Sequence, residues 1–229
     1  MLIVKNNALA GIWISDQGSS ANISYGHFEN NSVGYFAAVK SHSIINKSYF
    51  ISNNKRGNIE KFDHGTGLYM NDHGTRVKIT NSFFKGNSAR GIFNGSDDGL
   101  SMPAKLASQM IIKNSIFENN RNGVFTDVGD ITISKSSFLN NDEYGLMLGE
   151  HKDYWQNSGK AARVTARLLD FKYNKFGDIL IFGEFASKLV IDKSDFDFDK
   201  IYKNRASEMV IDGHLQRKIP ERNYTFENP

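Results

Sequence analysis

The 229-residue sequence predicts an all-β solenoid, a fold in which short strands stack coil upon coil. The first observation is a phenylalanine that recurs with an asparagine three residues after it, as in Phe84 and Asn87. The second is a glycine that opens an apolar run after the asparagine, as in Gly91-Ile92-Phe93. The third is the apolar–polar alternation of the run before the phenylalanine, as in Val77 to Thr80, which is typical of a strand with one buried face.

The phenylalanine repeat extends over most of the chain. Its members are Phe28, Phe50, Phe84, Phe117, Phe138, Phe171 and Phe196. Three positions later stand Asn31, Asn53, Asn87, Asn120, Asn141, Asn174 and Asp199. Two positions earlier stand Ser48, Ser82, Ser115, Ser136 and Ser194. We expect the rings and the serines to form inward columns, and each turn asparagine to bond its neighbour one coil away, at about 4.8 Å.

The glycine spacing divides the chain into units. The glycines that open the apolar runs are Gly11, Gly34, Gly67, Gly91, Gly123, Gly145 and Gly177. Their spacings alternate between 22–24 and 32–33 residues. Since about 22 residues make one bare coil, every second coil carries an insertion of roughly ten residues. We predict three insertions, all bordering the strand that begins with glycine; they are Lys55 to Thr66, Gly95 to Ser108 and Glu150 to Ala162.

Composition excludes several classes of function. The net charge is +3 and the basic residues are scattered, which argues against nucleic acid as a partner. Cysteine is absent, so there is no disulfide, thiolate metal site or thiol nucleophile. No stretch is long enough for a membrane span. Met1 to Lys5 is too short for the apolar core of a signal peptide, so none is visible.

The chain opens inside a repeat, and no capping element is recognisable before Asn6. Because an uncapped coil exposes its interior, we expect either that further domains of a longer chain precede it or that a partner covers this end. We assign residues 1–204 to the solenoid, with its N-terminal cap missing. Residues 205–229 then hold a last partial strand, Met209 to Ile211, and a C-terminal tail.

The repeat resembles that of the right-handed parallel β-helix proteins of the pectate-lyase-like superfamily, which include alginate epimerases and phage tailspikes. The segments that carry the resemblance are VKITNSFFKGNSARGIFN, IIKNSIFENNRNGVFTD and ITISKSSFLNNDEYGLML. It covers about Asn6 to Asp199 and implies a right-handed parallel β-helix of about eight coils. In enzymes of this fold the substrate groove follows the sheet made of the glycine-opened strands, and the insertions here border that sheet.

On the glycine-opened strands, alternation places Ile12, Leu68 and Val124 inward and a set of large apolar residues outward. We call the outward set the outer stripe; it comprises Trp13, Phe36, Tyr69, Phe93, Phe125, Met147 and Leu180. An uncovered stripe is unfavourable, since burial of one such side chain contributes about 1.5–3 kcal/mol.

Three covers for the outer stripe stay open. The insertions can fold back over it, a second subunit can pack on it as in a homotrimer, or a glycan can stack on it. The candidate substrate-binding residues are Trp13, Phe36, Tyr69, Phe93, Phe125 and Trp155.

Acidic residues recur where the glycine-opened strands end. They are Asp16, Asp72, Asp97, Asp98, Asp127 and Glu150. Neighbouring coils would place Asp72 and Asp98 about 5 Å apart at the backbone and up to about 9 Å apart at the carboxylates, a range that spans both geometries of glycoside cleavage. The NTD, GHG and RIK motifs of polygalacturonases are absent.

His73, in YMNDHGTR, is the best single candidate for a general acid or base. It stands beside Asp72, and Arg76 follows it. Elimination at a uronic acid needs a base and a cation on the carboxylate, which His73 and Arg76 would supply, with Lys113 as a second cation. The DPHE stretch of alginate epimerases is absent. The candidate catalytic residues are therefore His73, Asp72, Asp97, Asp98 and Arg76.

These observations favour a polysaccharide-binding β-helix that acts along an elongated groove, as a lyase, an epimerase or a glycoside hydrolase if it is an enzyme. The alternative is a non-catalytic structural or adhesive β-helix whose outer stripe is an oligomeric interface. No cofactor is assigned; stacked carboxylates suit Ca²⁺, so calcium stays open although no spaced acidic loop occurs. An extracellular or cell-surface location is expected for either function.

Overall fold

The computed structural model describes residues 1–54, 65–71, 74–95, 108–149, 162–183, 186–204, 206–216 and 218–220. In these residues the chain is all-β, and the one helical segment is a 3-10 turn at Phe198–Lys200. The strands form three sheets, A, B and C, in which almost all pairs are parallel.

The strands of the three sheets follow one another in rotation along the chain. Sheet A consists of β1 (Leu2–Lys5), β4 (Gly26–Glu29), β7 (Tyr49–Ile51), β10 (Phe83–Lys85), β13 (Ile116–Glu118), β16 (Ser137–Leu139) and β19 (Asp170–Lys172). Sheet B consists of β2 (Ala10–Ile14), β5 (Val33–Ala37), β8 (Thr66–Asn71), β11 (Arg90–Gly95), β14 (Asn122–Thr126), β17 (Tyr144–Gly149), β20 (Gly177–Phe182) and β22 (Ile201–Lys203). Sheet C consists of β3 (Ser20–Ser24), β6 (His42–Asn46), β9 (Arg76–Thr80), β12 (Gln109–Lys113), β15 (Asp130–Ser134), β18 (Arg163–Arg167), β21 (Lys188–Asp192), β23 (Glu208–Ile211) and β24 (His214–Leu215).

Apart from the strands at the sheet ends, each strand pairs with its counterparts in the preceding and following pass of the chain, and we call one pass through the three sheets a coil. The last strand, β24, instead pairs antiparallel with β23. The predicted all-β class and the parallel stacking are confirmed, and both are consistent with the predicted solenoid. The partial strand expected at Met209 to Ile211 is β23, which pairs with β21. In the sequence, the first predicted insertion directly precedes a strand of sheet B, β8, and the other two directly follow the sheet B strands β11 and β17. Nearly all the residues of the insertions lie outside those described.

The predicted phenylalanine column forms the centre of the main core. The rings of Phe50 and Phe84 stack with their centroids 4.6 Å apart and their planes 2° apart. Phe138 and Phe171, at the other end of the column, are 4.8 Å and 10° apart. All rings from Phe28 to Phe171 are buried, and the alternating apolar residues of sheets B and C pack around them. The inward assignment of these residues is therefore confirmed.

The turn asparagines form the predicted ladder. Nδ2 of Asn53 donates to Oδ1 of Asn87 at 2.9 Å, and Nδ2 of Asn87 donates to Oδ1 of Asn120 at 2.8 Å. The same Asn87 oxygen also accepts the backbone N–H of Asn53 at 3.1 Å. The pattern holds from Asn7 to Asn174. Each buried amide thus forms hydrogen bonds with the asparagine of the neighbouring coil, and these bonds fix the register between coils.

The ladder ends differently from the expectation. Nδ2 of Asn174 donates to Oδ1 of Asp178 at 3.0 Å, and the other oxygen of Asp178 accepts the backbone N–H of Asp197 at 3.0 Å. Asp199, the last member of the sequence repeat, instead uses its backbone N–H to bond Asp197 within the 3-10 turn. The 3-10 turn lies between the bridge of Asp195 to sheet A and strand β22 of sheet B. In the earlier coils an asparagine occupies this corner, so the repeat is broken here.

Close approach explains the recurring glycine of sheet B. A Cβ on Gly123 would lie 2.5 Å from the carbonyl oxygen of Gly145 and 2.7 Å from the ring of Phe138. Since real Cβ atoms do not approach that closely, any larger residue would push neighbouring coils apart. The glycine repeat is therefore a requirement of coil spacing.

One interior position carries a tyrosine. Tyr35 occupies the inward position of β5, in register with Ile12 and Leu68, and its hydroxyl lies 2.7 Å from the Oγ of Ser43 on sheet C. Both residues are buried. A larger residue in sheet B is thus matched by a small polar residue in sheet C, and burial raises the pKa of Tyr35.

The asparagine ladder predicts a large cost for Asn87→Ala. The substitution removes the oxygen that accepts both the backbone N–H and one side-chain N–H of Asn53, which we expect to lower the free energy of unfolding by about 2–4 kcal/mol. Urea unfolding followed by circular dichroism measures this. Asn22→Ala, at an exposed position of β3, is the matched control and should shift the midpoint little. Equal shifts would contradict a structural role for the ladder.

The Tyr35–Ser43 pair predicts a pH-dependent difference between wild type and Tyr35→Phe. Near pH 8 the variant should be less stable by about 1–3 kcal/mol, because the Ser43 hydroxyl loses its partner. Since the pKa of Tyr35 is raised in the folded state, its stabilisation is complete below the unfolded pKa of about 10 and is lost as the pH rises above it.

The difference in unfolding midpoint should therefore be constant from about pH 8 to about pH 9 and shrink as the pH rises above about 10. The double variant Tyr35→Phe/Ser43→Ala removes both polar groups and should recover part of the loss. A difference that stays constant as the pH rises above about 10 would contradict the assignment.

Candidate functional site

The outer stripe lies on the outward side of sheet B, as predicted. Phe93 is in register with Tyr69 and Phe125. Ring centroids are 5.0 Å apart for Tyr69 and Phe93 and 5.1 Å apart for Phe93 and Phe125. At the N-terminal end, Trp13 contacts Phe36 with centroids 4.4 Å apart, and Phe36 meets Tyr69 edge to face at 5.0 Å. The rings thus form a continuous row outside the main core.

Most of this row is hidden from solvent. Trp13 is 45% exposed, whereas Phe36, Tyr69, Phe93 and Phe125 are at most 5% exposed, and Met147 and Leu180 are fully buried. The buried members form a second hydrophobic cluster, distinct from the one around the phenylalanine column. Their burial is a property of the single chain, so it does not require a second subunit. The residues proposed to fold back over the stripe, including Trp155, lie outside those described.

This burial bears on the sugar-binding assignments. Among the candidate residues that the structure describes, Trp13 alone presents a ring with substantial exposure, at the outer edge of sheet B. Contact between a glycan and Phe36, Tyr69, Phe93 or Phe125 requires a rearrangement that exposes them. Their role in binding stays a prediction.

Arg90 adds a cation to the outer stripe. It is the first residue of β11, is 8% exposed, and its guanidinium lies 4.7 Å from the ring centroid of Phe93 and 4.9 Å from that of Phe125. Such a position over two ring faces is a favourable cation–π arrangement. Arg90 is absent from the sequence-based predictions. The sequence feature that marks it is its position directly before Gly91. In other coils the residue before the glycine, such as Val33 or Tyr144, also belongs to the outer hydrophobic cluster.

A polar cluster fixes the strand starts beside Arg90. Glu143 receives Nε of Arg121 at 2.8 Å on one oxygen and Nδ2 of Asn122 at 2.9 Å on the other. Oδ1 of Asn122 accepts the backbone N–H of Tyr144 at 3.0 Å. These bonds join β14 to β17 and hold the start of the outward row in place. Glu143 is 9% exposed, so its charge is compensated in a nearly buried setting.

The recurring acidic residues lie at the C-terminal ends of the sheet B strands. Two of them, Asp16 and Asp127, are among the described residues. Asp16 is exposed, with φ of 79°. Asp127 is buried directly after β14. Asn71, the last residue of β8, is also buried, and within the described part of the chain its Oδ1 has no hydrogen-bond partner. The strand ends are therefore polar although the strand centres are not.

The candidate catalytic residues are largely beyond what the structure describes. Asp72, His73, Asp97 and Asp98 lie outside the described residues, so their geometry stays a prediction. Arg76 is described and is exposed at the start of β9, where it points outward from sheet C between His42 and Gln109. It therefore stands on the face adjacent to sheet B rather than on the outer stripe.

A partly exposed row of three aromatic side chains and an isoleucine occurs on the outward side of sheet A and is absent from the sequence-based predictions. Its members His27, Tyr49, Phe83 and Ile116 are in register on β4, β7, β10 and β13. Tyr49 is 49% exposed, and its ring centroid is 6.3 Å from that of Phe83. The signal in the sequence is the residue directly before each interior phenylalanine, which alternation turns outward.

The described residues hold no group of three His, Cys, Asp or Glu side chains suited to a metal ion. Within the same residues no helix is long and apolar enough to cross a membrane. Comparison of the chain with family models, curated proteins and solved structures finds no match.

The burial of the outer stripe predicts that Phe93 behaves as a core residue. Phe93→Ala should lower the free energy of unfolding by about 3–5 kcal/mol, because it opens a cavity between Tyr69 and Phe125. Tyr49→Ala, an aromatic truncation on the exposed face of sheet A, should cost about 1 kcal/mol or less. The urea unfolding midpoints of the two variants measure whether Phe93 is a core residue. A small effect of Phe93→Ala would mean that the outer stripe is an open groove.

Proposed function

We propose that this protein is a right-handed parallel β-helix of about eight coils, of the pectate-lyase-like type, that binds an extended polysaccharide outside the cell or at its surface. The repeat segments support this proposal, and so does the rotation of the strands through three parallel sheets. A solenoid suits a polymeric ligand because successive coils present the same kind of side chain at strand spacing, about 4.8 Å.

The observation that carries the proposal is the exposed ring of Trp13 at the edge of sheet B. It packs against Phe36 with the two ring planes tilted by 46°, and 45% of its surface is accessible. A partly exposed indole is the kind of surface on which a sugar ring packs. The rest of the outer stripe extends the same row across the neighbouring strands.

A catalytic role is the extension of this proposal and depends on Asp72, His73, Asp97 and Asp98. In a lyase, His73 would take the proton from the carbon beside the uronate carboxylate, and the freed electron pair would form a carbon–carbon double bond as the bond to the leaving sugar oxygen breaks. The protonated His73 or a water molecule would then supply the proton that this oxygen gains. Arg76 supports this version, since it is exposed and no carboxylate lies within ion-pair distance of it in the described part of the chain. An exposed guanidinium is a suitable partner for a sugar carboxylate.

The second candidate is a non-catalytic structural or adhesive β-helix. Apolar exposure in the first coil favours it, since Leu2, Ile3, Leu9 and Trp13 are 36–53% exposed. An apolar surface of this kind suits assembly into an oligomer such as a trimer.

Glycan binding by the whole chain tests the proposal. On a panel of acidic and neutral polysaccharides, wild type should bind at least one, and Trp13→Ala should weaken that binding by about fivefold or more, since a stacked aromatic anchor is lost. Tyr49→Ala on sheet A is the matched control. If the protein is an enzyme, the bound glycan should release product, and His73→Ala should abolish release.

Failure to bind any glycan would contradict the proposal. An oligomer that dissociates on Trp13→Glu, measured by sedimentation, would then support the assembly function instead. Trp13 is the better position for this substitution because a charge at the buried Phe93 would disrupt folding.

A further inference from the structure

The outward side of sheet C is a flat, solvent-facing surface. Along β9, β12, β15 and β18 buried and exposed residues alternate strictly at the strand centres, so every second side chain points into solvent. Register pairs place these side chains in rows that cross the strands. The outward residues are Arg76, Lys78, Thr80, Gln109, Ile111, Lys113, Asp130, Thr132, Ser134, Arg163, Thr165 and Arg167.

Positive charge is concentrated on this surface. Asp130 is the one carboxylate among the outward side chains of these four described strands, against five cations. Only Arg167 of the five has a partner in the described part of the chain, with its Nε 3.4 Å from Asp192. The net charge of this set of side chains is +4, whereas that of the whole protein is +3, so the rest of the chain is close to neutral overall.

The spacing of the free cations is set by the sheet. Arg76 and Lys78 are alternate residues of β9, about 6.6 Å apart along the strand. Lys113 is the diagonal neighbour of Lys78 on β12, at about 7–8 Å between backbones. The long side chains let these charges reach groups that repeat along a polymer lying across the strands.

Between the cations the surface offers hydroxyl and amide groups and no aromatic ring. Thr80, Thr132, Thr165 and Gln109 can bond sugar hydroxyls. Phe, Tyr and Trp are absent from the outward positions of the four strands, so unpaired bases would find no ring to stack on. The combination favours an anionic, hydroxyl-rich polymer over single-stranded nucleic acid.

We infer that the outward face of sheet C between β9 and β18 binds the carboxylates of an acidic polysaccharide. The inference rests on the proposed function and adds the substrate class to it. Arg76 connects the two, since it belongs to this face and begins the strand that follows Asp72 and His73. Lys78 and Arg163 are the binding residues that it adds to Arg76 and Lys113.

Calorimetric titration with polygalacturonate, and with dextran as a neutral polymer, tests the inference. Lys78→Gln/Lys113→Gln removes two positive charges while keeping a polar side chain at each position, and should weaken polygalacturonate binding by about tenfold at low salt. Lys85→Gln/Lys172→Gln removes the same charge from sheet A, where both lysines pair with carboxylates at 3.0–3.1 Å, and should change the affinity by less than about twofold. Added salt should weaken wild-type binding more than that of the sheet C variant.

Three results would overturn the inference. They are equal losses in the two double variants, dextran binding as tight as polygalacturonate binding, and tighter binding of a DNA duplex than of either polysaccharide. If the protein binds dextran as tightly as polygalacturonate and Trp13→Ala weakens that binding, the proposed polysaccharide-binding function is supported. The inference that the substrate is acidic is then wrong. Absence of binding to both polymers and to the wider glycan panel would overturn the proposed function itself.

Discussion

The architecture depends on one constraint. Each coil must follow the path of the coil before it closely enough for the backbones of neighbouring strands to form hydrogen bonds. Parallel strands pair only when their backbones run in step, so an error of one residue would turn every inward side chain outward. The amides of Asn53, Asn87 and Asn120 enforce the step at one corner, and glycines such as Gly123 permit the close approach. The outer faces inherit their order from this constraint.

The three outward faces carry different chemistry on the same scaffold. Sheet A presents an exposed mixed row around Tyr49, sheet B buries its aromatic stripe around Phe93, and sheet C presents cations such as Lys78. The interior positions hardly differ between coils, because the core has to repeat. The outward positions are free of that demand, so binding specificity can be built there without altering the packing inside.

The sequence predicts the interior well because its repeat is itself the contact pattern. Phe84 and Asn87 recur in the chain and therefore meet their own counterparts in space. It does not predict the pairing of Tyr35 with Ser43, which depends on two sheets facing each other across the core. Nor does it predict the burial of Arg90, since an arginine at a strand start looks like a solvated residue until the rings around it are placed.

The candidate site is predicted only in part, for a related reason. The row of the outer stripe follows from alternation and register, whereas its accessibility depends on what packs over it. Arg76 follows a sheet B strand in sequence, yet the corner of the coil transfers it to sheet C.

The ladder of asparagines has a direction. From Asn31 to Asn174 each side-chain amide of the ladder also donates to a backbone carbonyl of the preceding coil, but the bonds between side chains all run from Nδ2 to an oxygen on the C-terminal side. The amide dipoles therefore align head to tail along the stack. The last donor meets Asp178, a carboxylate that can only accept when ionised. The column is therefore polar, with its positive end neutralised by an anion, much as an acidic residue complements a helix terminus. Within the column every rung is chemically the same, which makes the scaffold modular: a coil can be gained or lost without any new type of bond, provided that the terminal acceptor is kept.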